Sequence, residues 1–141
     1  MRLIAAVLAA SFCIAPALAQ QATPASSTAA ENPSTTALAR AQFDALRAGT
    51  IDRSKYTADV NSHLTDAVVS EISRVLSPGG AVKTFAYAGN AVQSGVQVAQ
   101  YSVEFEHPIS VPMMPTTALW NLSIATDKDG KISSFSLSPK K

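Results

Sequence analysis

Glu104, Glu106 and His107 are the densest set of acid–base groups in the chain, and His107 is one of two histidines in it. Two carboxylates at i and i+2 share one face of a strand, where they could exchange a proton with a substrate. The surrounding alternation argues against that use. Ala99, Tyr101, Val103 and Phe105 take one face; Gln100, Ser102, Glu104 and Glu106 take the other, and the glutamates are expected on the solvated side. His107 continues the apolar parity at a strand end before Pro108, which makes it the one candidate base, with Tyr87 as a partner. His63 precedes a helix cap and is expected at the surface. Neither histidine has the spacing of a zinc site, so no metal is expected. No Gly-x-Ser-x-Gly or Ser-x-x-Lys motif is present, and Gly79-Gly80 lacks the rest of a phosphate loop, so no cofactor is expected either.

Tyr56, Tyr87, Tyr101 and Trp120 are the candidate ligand-binding residues: aromatic bodies with polar tips that could line a concave sheet. The same residues would fill the core of any α+β domain of this size. Tyr87 and Trp120 are the pair expected nearest a pocket. Met113 and Met114, set among prolines, make a soft apolar loop suited to a lid or a partner contact.

These residues need a frame, and the hydrophobic pattern supplies one. Arg2 followed by an apolar run that ends in Ala17-Leu18-Ala19 has the form of a secretory signal, cleaved after Ala19. The run is too short for a membrane span, and the bulky Phe12 before Cys13 opposes lipoprotein processing, so no stable membrane anchor is expected. The product would be periplasmic or secreted. Cys13 is the single cysteine, and its loss with the signal leaves no disulfide and no thiolate. Cleavage also removes Arg2, leaving 10 basic and 10 acidic residues in 122, a balance that gives nucleic acid no electrostatic purchase. Residues 20–36 are small and polar with two prolines and read as a disordered linker; the folded domain is expected over 37–139.

Within that domain a helix is predicted from 34 or 35 to 48, ending at Gly49 in the left-handed position. A short helical turn is expected somewhere in 52–61. A second helix is predicted over 65–76, capped by Thr65, with Leu64, Val68, Ile72, Val75 and Leu76 as its apolar stripe and Pro78-Gly79-Gly80 as its stop. The period then changes to two. Strands are expected at 81–92 (Lys83, Phe85 and Tyr87 on one face), 96–107, 116–126 (Ala118, Trp120, Leu122 and Ile124 on one face) and 131–137. Gln93-Ser94-Gly95 turns the first hairpin and Asp127-Lys128-Asp129-Gly130 the last, with residues 108–115 as a proline-rich loop. Ile132 and Phe135 differ in parity, which calls for a bulge or two covered faces. Helices followed by a meander make an α+β fold: N-terminal helices packed on a curved antiparallel sheet of about four strands.

Phe43-Asp44-Ala45-Leu46-Arg47-Ala48-Gly49-Thr50-Ile51-Asp52 and Asp129-Gly130-Lys131-Ile132-Ser133-Ser134-Phe135 together resemble the nuclear transport factor 2-like superfamily of cystatin-like α+β cones, over about residues 37–138. Thr50 departs from the acidic residue usual there, and the prolines before Trp120 depart at the mouth of the cone. The resemblance implies a cone-shaped fold that hosts isomerases, dehydratases and hydrolases beside non-catalytic binding domains, so it selects no reaction. Since no acid, base and orienter assemble without overruling the strand pattern, the expected function is an exported, non-catalytic binding or interaction module. The alternative is a lyase or isomerase using His107 and Tyr87 on an apolar small molecule. The partners in view are a small apolar ligand, an envelope protein, or a second copy. The second copy would be held through the sheet face of Leu119, Asn121, Ser123 and Ala125.

Overall fold

Asn32 sets where the first helix begins. Its side-chain oxygen accepts hydrogen bonds from the backbone N–H groups of Ser34 and Thr35, and Pro33 occupies the first helical position, where a missing N–H costs nothing. The computed structural model describes residues 30–141. Helix α1 is therefore Pro33–Arg47, and residues 33–36, assigned by composition to the linker, form its first turn. Residues 20–29 of that linker and the signal sequence lie outside the described residues. At its other end α1 closes as expected. Gly49 has φ +73°, its N–H donates to the Leu46 carbonyl, and Thr50 N–H donates to the Ala45 carbonyl.

A 3₁₀ turn at Arg53–Lys55 and a short helix α2, Ala58–His63, fill the stretch where a helical turn was expected. Helix α3, Asp66–Leu76, is capped by the Thr65 hydroxyl, which accepts from Val68 N–H. Its stripe is rotated from the predicted one. Val69 is buried and Val68 is 40% exposed, while Ile72, Val75 and Leu64 are half-buried. A helix that packs its edge on a sheet, with a loop along one flank, can bury fewer positions than its apolar stripe offers.

The sheet is an open antiparallel meander in the order β1-β2-β3-β4: Val82–Gln93, Val96–Ile109, Thr117–Thr126 and Ile132–Pro139. Helices followed by this sheet give the α+β class expected from the sequence. Tyr87 pairs with Tyr101, Tyr101 with Leu122, and Leu122 with Leu137, so one row of inward side chains crosses all four strands. Shifts of register correct the simple alternation at several places, two of which bear on the sequence pattern. The register shifts between Val82 and Thr84, which turns Lys83 out to solvent and away from the face of Phe85 and Tyr87. It shifts again between Ala125 and Thr126, where Ser133 is the extra residue, and this reconciles Ile132 with Phe135.

Phe43 on α1 lies 5.9 Å from Phe85 and 6.0 Å from Phe105, ring centre to ring centre, and so joins helix to sheet. Phe85 stacks on Tyr101 at 5.1 Å, and Phe105 meets Trp120 edge-on at 6.4 Å. Arg47 ties the end of α1 to the stop of α3. Its Nη2 donates to the Gly80 carbonyl at 2.6 Å, its guanidinium lies 5.6 Å from the Phe105 ring centre, and its own carbonyl accepts from Ser73 Oγ.

Two expected outcomes test this packing. A Cβ on buried Gly79 would lie 2.7 Å from Phe105 Cδ1 and 2.8 Å from Ile109 Cδ1. Gly79→Ala is therefore expected to lower unfolding free energy by about 1–3 kcal/mol in urea titrations, the cost of overpacking. Tyr56 is buried, and its hydroxyl has no hydrogen-bond partner among the described residues; burial, with the nearby Asp52 charge, pushes its phenol up to about 12. A folded-state value raised above the unfolded value of about 10 leaves stability intact below pH 10 and removes it as pH climbs toward 12. Tyr56→Phe removes the unpaired hydroxyl, so it should be at least as stable as the natural protein near pH 8, with an advantage that grows above pH 10. A difference that stays constant from pH 8 to 12 would contradict the assignment.

Candidate apolar groove

Helix α3 and the β3–β4 hairpin diverge toward solvent, leaving a groove of about 270 Å³ between them. Ile72, Val75 and Leu76 form the helical wall; Trp120, Phe135 and Leu137 form the sheet wall. Each wall follows from local sequence. Trp120, on β3, is opposite Val103 on one side and Pro139 on the other, on the inward row. Its Nε1–H donates to the Thr117 carbonyl at 3.3 Å, which satisfies the indole and leaves its ring for the groove. Phe135 and Leu137 reach the same side because they are two apart on β4 beyond the bulge.

Residues 110–116 close one end. Val111 and Met114 line the groove, and Met113 is fully exposed with φ +65°, a backbone conformation a side-chain-bearing residue seldom adopts. The one charged residue on the lining is Glu71, whose carboxylate accepts two hydrogen bonds from Arg74 one turn along α3. Those bonds hold the Glu71 carboxyl below its ordinary range, so the rim carries a closed ion pair and the floor is uncharged. Such a surface can hold an apolar group and offers no group to activate one.

The four aromatic candidates separate. Trp120 lines the groove. Tyr56 and Tyr101 are buried in the core, Tyr101 with its hydroxyl 3.1 Å from Thr36 Oγ1. Tyr87 is half-buried and meets Tyr101 edge-on at 5.8 Å, at the far end of the sheet from the groove. His107 is exposed, contrary to its inward parity: the β2–β3 pairing is interrupted between Glu104 and Ile109, and it is Ile109 that re-enters the core. Tyr87 is opposite Tyr101, six positions before His107 on β2, so the proposed acid–base pair is separated by about 20 Å at ~3.3 Å per residue. Glu106 is exposed as expected, whereas Glu104 is half-buried, with Thr84 Oγ1 donating to it at 3.4 Å. Among the described residues no group of three His, Cys, Asp or Glu side chains converges for a metal, and no helix is long and apolar enough to cross a membrane.

A second cavity of about 230 Å³ lies at the start of α1, where Asn32, Thr35, Asn90, Gln97 and Thr126 surround a floor of Ala99 and Ile124. Trp120, one of the two aromatics expected nearest a pocket, lines the groove; the place of the groove beside α3, and the second cavity, were not legible in the sequence. The α3 wall was expected to be core, and only the half-burial of Leu64, Ile72 and Val75 shows that the sheet does not reach it. Comparison of the chain with protein-family models, with curated proteins and with solved structures finds no match to any of them.

Proposed function

We propose that this chain is an exported, non-catalytic binding module, and that the groove between α3 and the β3–β4 hairpin is where it binds. The observation that carries this is a solvent-open recess whose floor is apolar and whose one charge is neutralised at the rim. Water held against such a floor is released when an apolar group enters, at roughly 25 cal/mol per Å² of apolar surface covered. The form of residues 1–19 supports export. The resemblance to the nuclear transport factor 2-like superfamily belongs to the same proposal. It rests on two stretches that make a helix end at Gly49 and a turn at Gly130, so it bears on fold before function.

Titration with 8-anilinonaphthalene-1-sulfonate, read through Trp120 emission, tests the groove, since Trp120 is the single tryptophan. Saturable quenching is expected. Met114→Gln changes a half-exposed groove residue that the fold does not depend on. It should weaken probe binding about 3–10-fold, the effect of one lost apolar contact worth about 1 kcal/mol, with no change in melting temperature. Quenching that is unaltered by this substitution would place the probe elsewhere and defeat the proposal.

A further inference from the structure

The groove is bounded on its open side by the free edge of the sheet. Lys140 N–H donates to the Leu119 carbonyl, and these two residues are directly opposite in register. In an antiparallel ladder, directly opposed residues that exchange hydrogen bonds alternate with residues whose N–H and C=O point the other way. Ser138, Ser136 and Ser134 therefore bond inward to Asn121, Ser123 and Ala125. Phe135 and Leu137 direct their N–H and C=O groups out of the sheet edge, as Pro139 directs its C=O. The one bond already made on this edge agrees: Thr57 N–H donates to the Ile132 carbonyl, and Tyr56 forms a parallel bridge to Ile132. Past Ile132 the ladder has no further partner among the described residues. The residues with unpaired backbone groups, Phe135 and Leu137, are the same two whose side chains form the groove wall.

We infer that the occupant of the groove is an extended peptide segment of another protein, added as a fifth strand along β4, with alternate apolar side chains in the groove and acidic residues at its ends. This rests on the groove being the binding site. The backbone ladder continues the bridge that residue 56 already makes, and the groove volume suits one or two side chains better than a free ligand, since small-molecule sites commonly run about 300–1,000 Å³. Charge selects the ends. Lys131 precedes the edge and Lys140-Lys141 follow it, with no charged residue between. A second copy pairing its own β4 antiparallel would bring Lys131 against Lys140 and Lys141 at both ends, and like charges placed opposite one another destabilise a ladder. A segment with acidic ends meets attraction at the same positions.

The test uses the full chain, isotopically labelled, and a synthetic peptide of about nine residues that alternates valine and threonine between terminal aspartates, long enough to span β4. Two controls accompany it: the same peptide N-methylated on alternate residues, and one with lysine in place of aspartate. The expected result is slower amide exchange at Phe135 and Leu137, by at least about tenfold at saturation. The N-methylated peptide should lose at least about tenfold in affinity, and the lysine-ended one should bind more weakly at low salt than at high. Equal binding of the N-methylated peptide would mean side-chain insertion without strand addition and would overturn the inference. Protection of the Phe135 and Leu137 amides in the free protein, with a dimeric mass, would assign the edge to a second copy and overturn it as well. If the anilinonaphthalene probe binds while none of the peptides does, strand addition fails alone; if neither binds, the groove proposal fails with it.

Discussion

Phe43 is the contact on which the arrangement of this domain depends. One ring from α1 is seated between Phe85 on β1 and Phe105 on β2, so a single helical residue fixes the distance and tilt of the helix over two strands. Tilted aromatic pairs at such separations contribute about 0.5–1.5 kcal/mol each beyond the area they bury, and the ring plane makes the contact directional as well as apolar. From Phe105 the chain of rings passes to Trp120, and from Phe85 to Tyr101 and Tyr87, spanning β1 to β3. Ala39 and Leu46, buried beside Phe43 on α1, fill what the rings leave.

The groove is a consequence of where that packing stops. Helix α1 seats on β1 and β2, and α3 is joined to α1 through the Ser73–Arg47 bond and runs on into the 3₁₀ turn at Ser77–Gly79. Gly79 lets Phe105 and Ile109 approach that turn without a side chain between them. Glu71, Ile72, Val75 and Leu76, from the C-terminal half of α3, face Trp120, Phe135 and Leu137 across the groove. Leu64, Ile72 and Val75 stay half-buried along it. The binding surface is thus the unfilled margin of the core, and its chemistry is the chemistry of core residues.

Polar groups show the same division. Buried ones are mostly tied down, as Trp120 Nε1 is to Thr117 and the Tyr101 hydroxyl to Thr36. Gln42 Oε1 and the Tyr56 hydroxyl are buried without a partner among the described residues, which carries a desolvation cost of order 1–3 kcal/mol apiece. Neither lines the groove. The ion pairs, Arg40–Asp44, Arg53–Asp66, Arg74–Glu71 and Lys128–Asp129, lie at the surface, where each contributes ~0–1 kcal/mol. Folding here is driven by apolar burial, and the polar network sets register and helix ends.

Local sequence determined every element of the described fold. Alternation over β2 and β3, the cap at Thr65, the glycine stop at Gly49 and the Asp-Gly turn each act within a few residues, so their outcome can be read without the rest of the chain. Where reading failed, the deciding force came from another element. A bulge turns Lys83 away from the core, and the interrupted β2–β3 pairing frees His107 to solvent. Parity along one strand cannot register these, because a bulge is a property of two strands in register. The groove is further still from the sequence. It exists because Ile72 and Val75 on α3 stand apart from Phe135 and Leu137 with nothing in the described chain between them, and because those two lie on an edge that nothing else in the described chain pairs. Types and periods of residues determined which side chains are apolar and which backbone runs extended; only tertiary packing decided which of them were left uncovered.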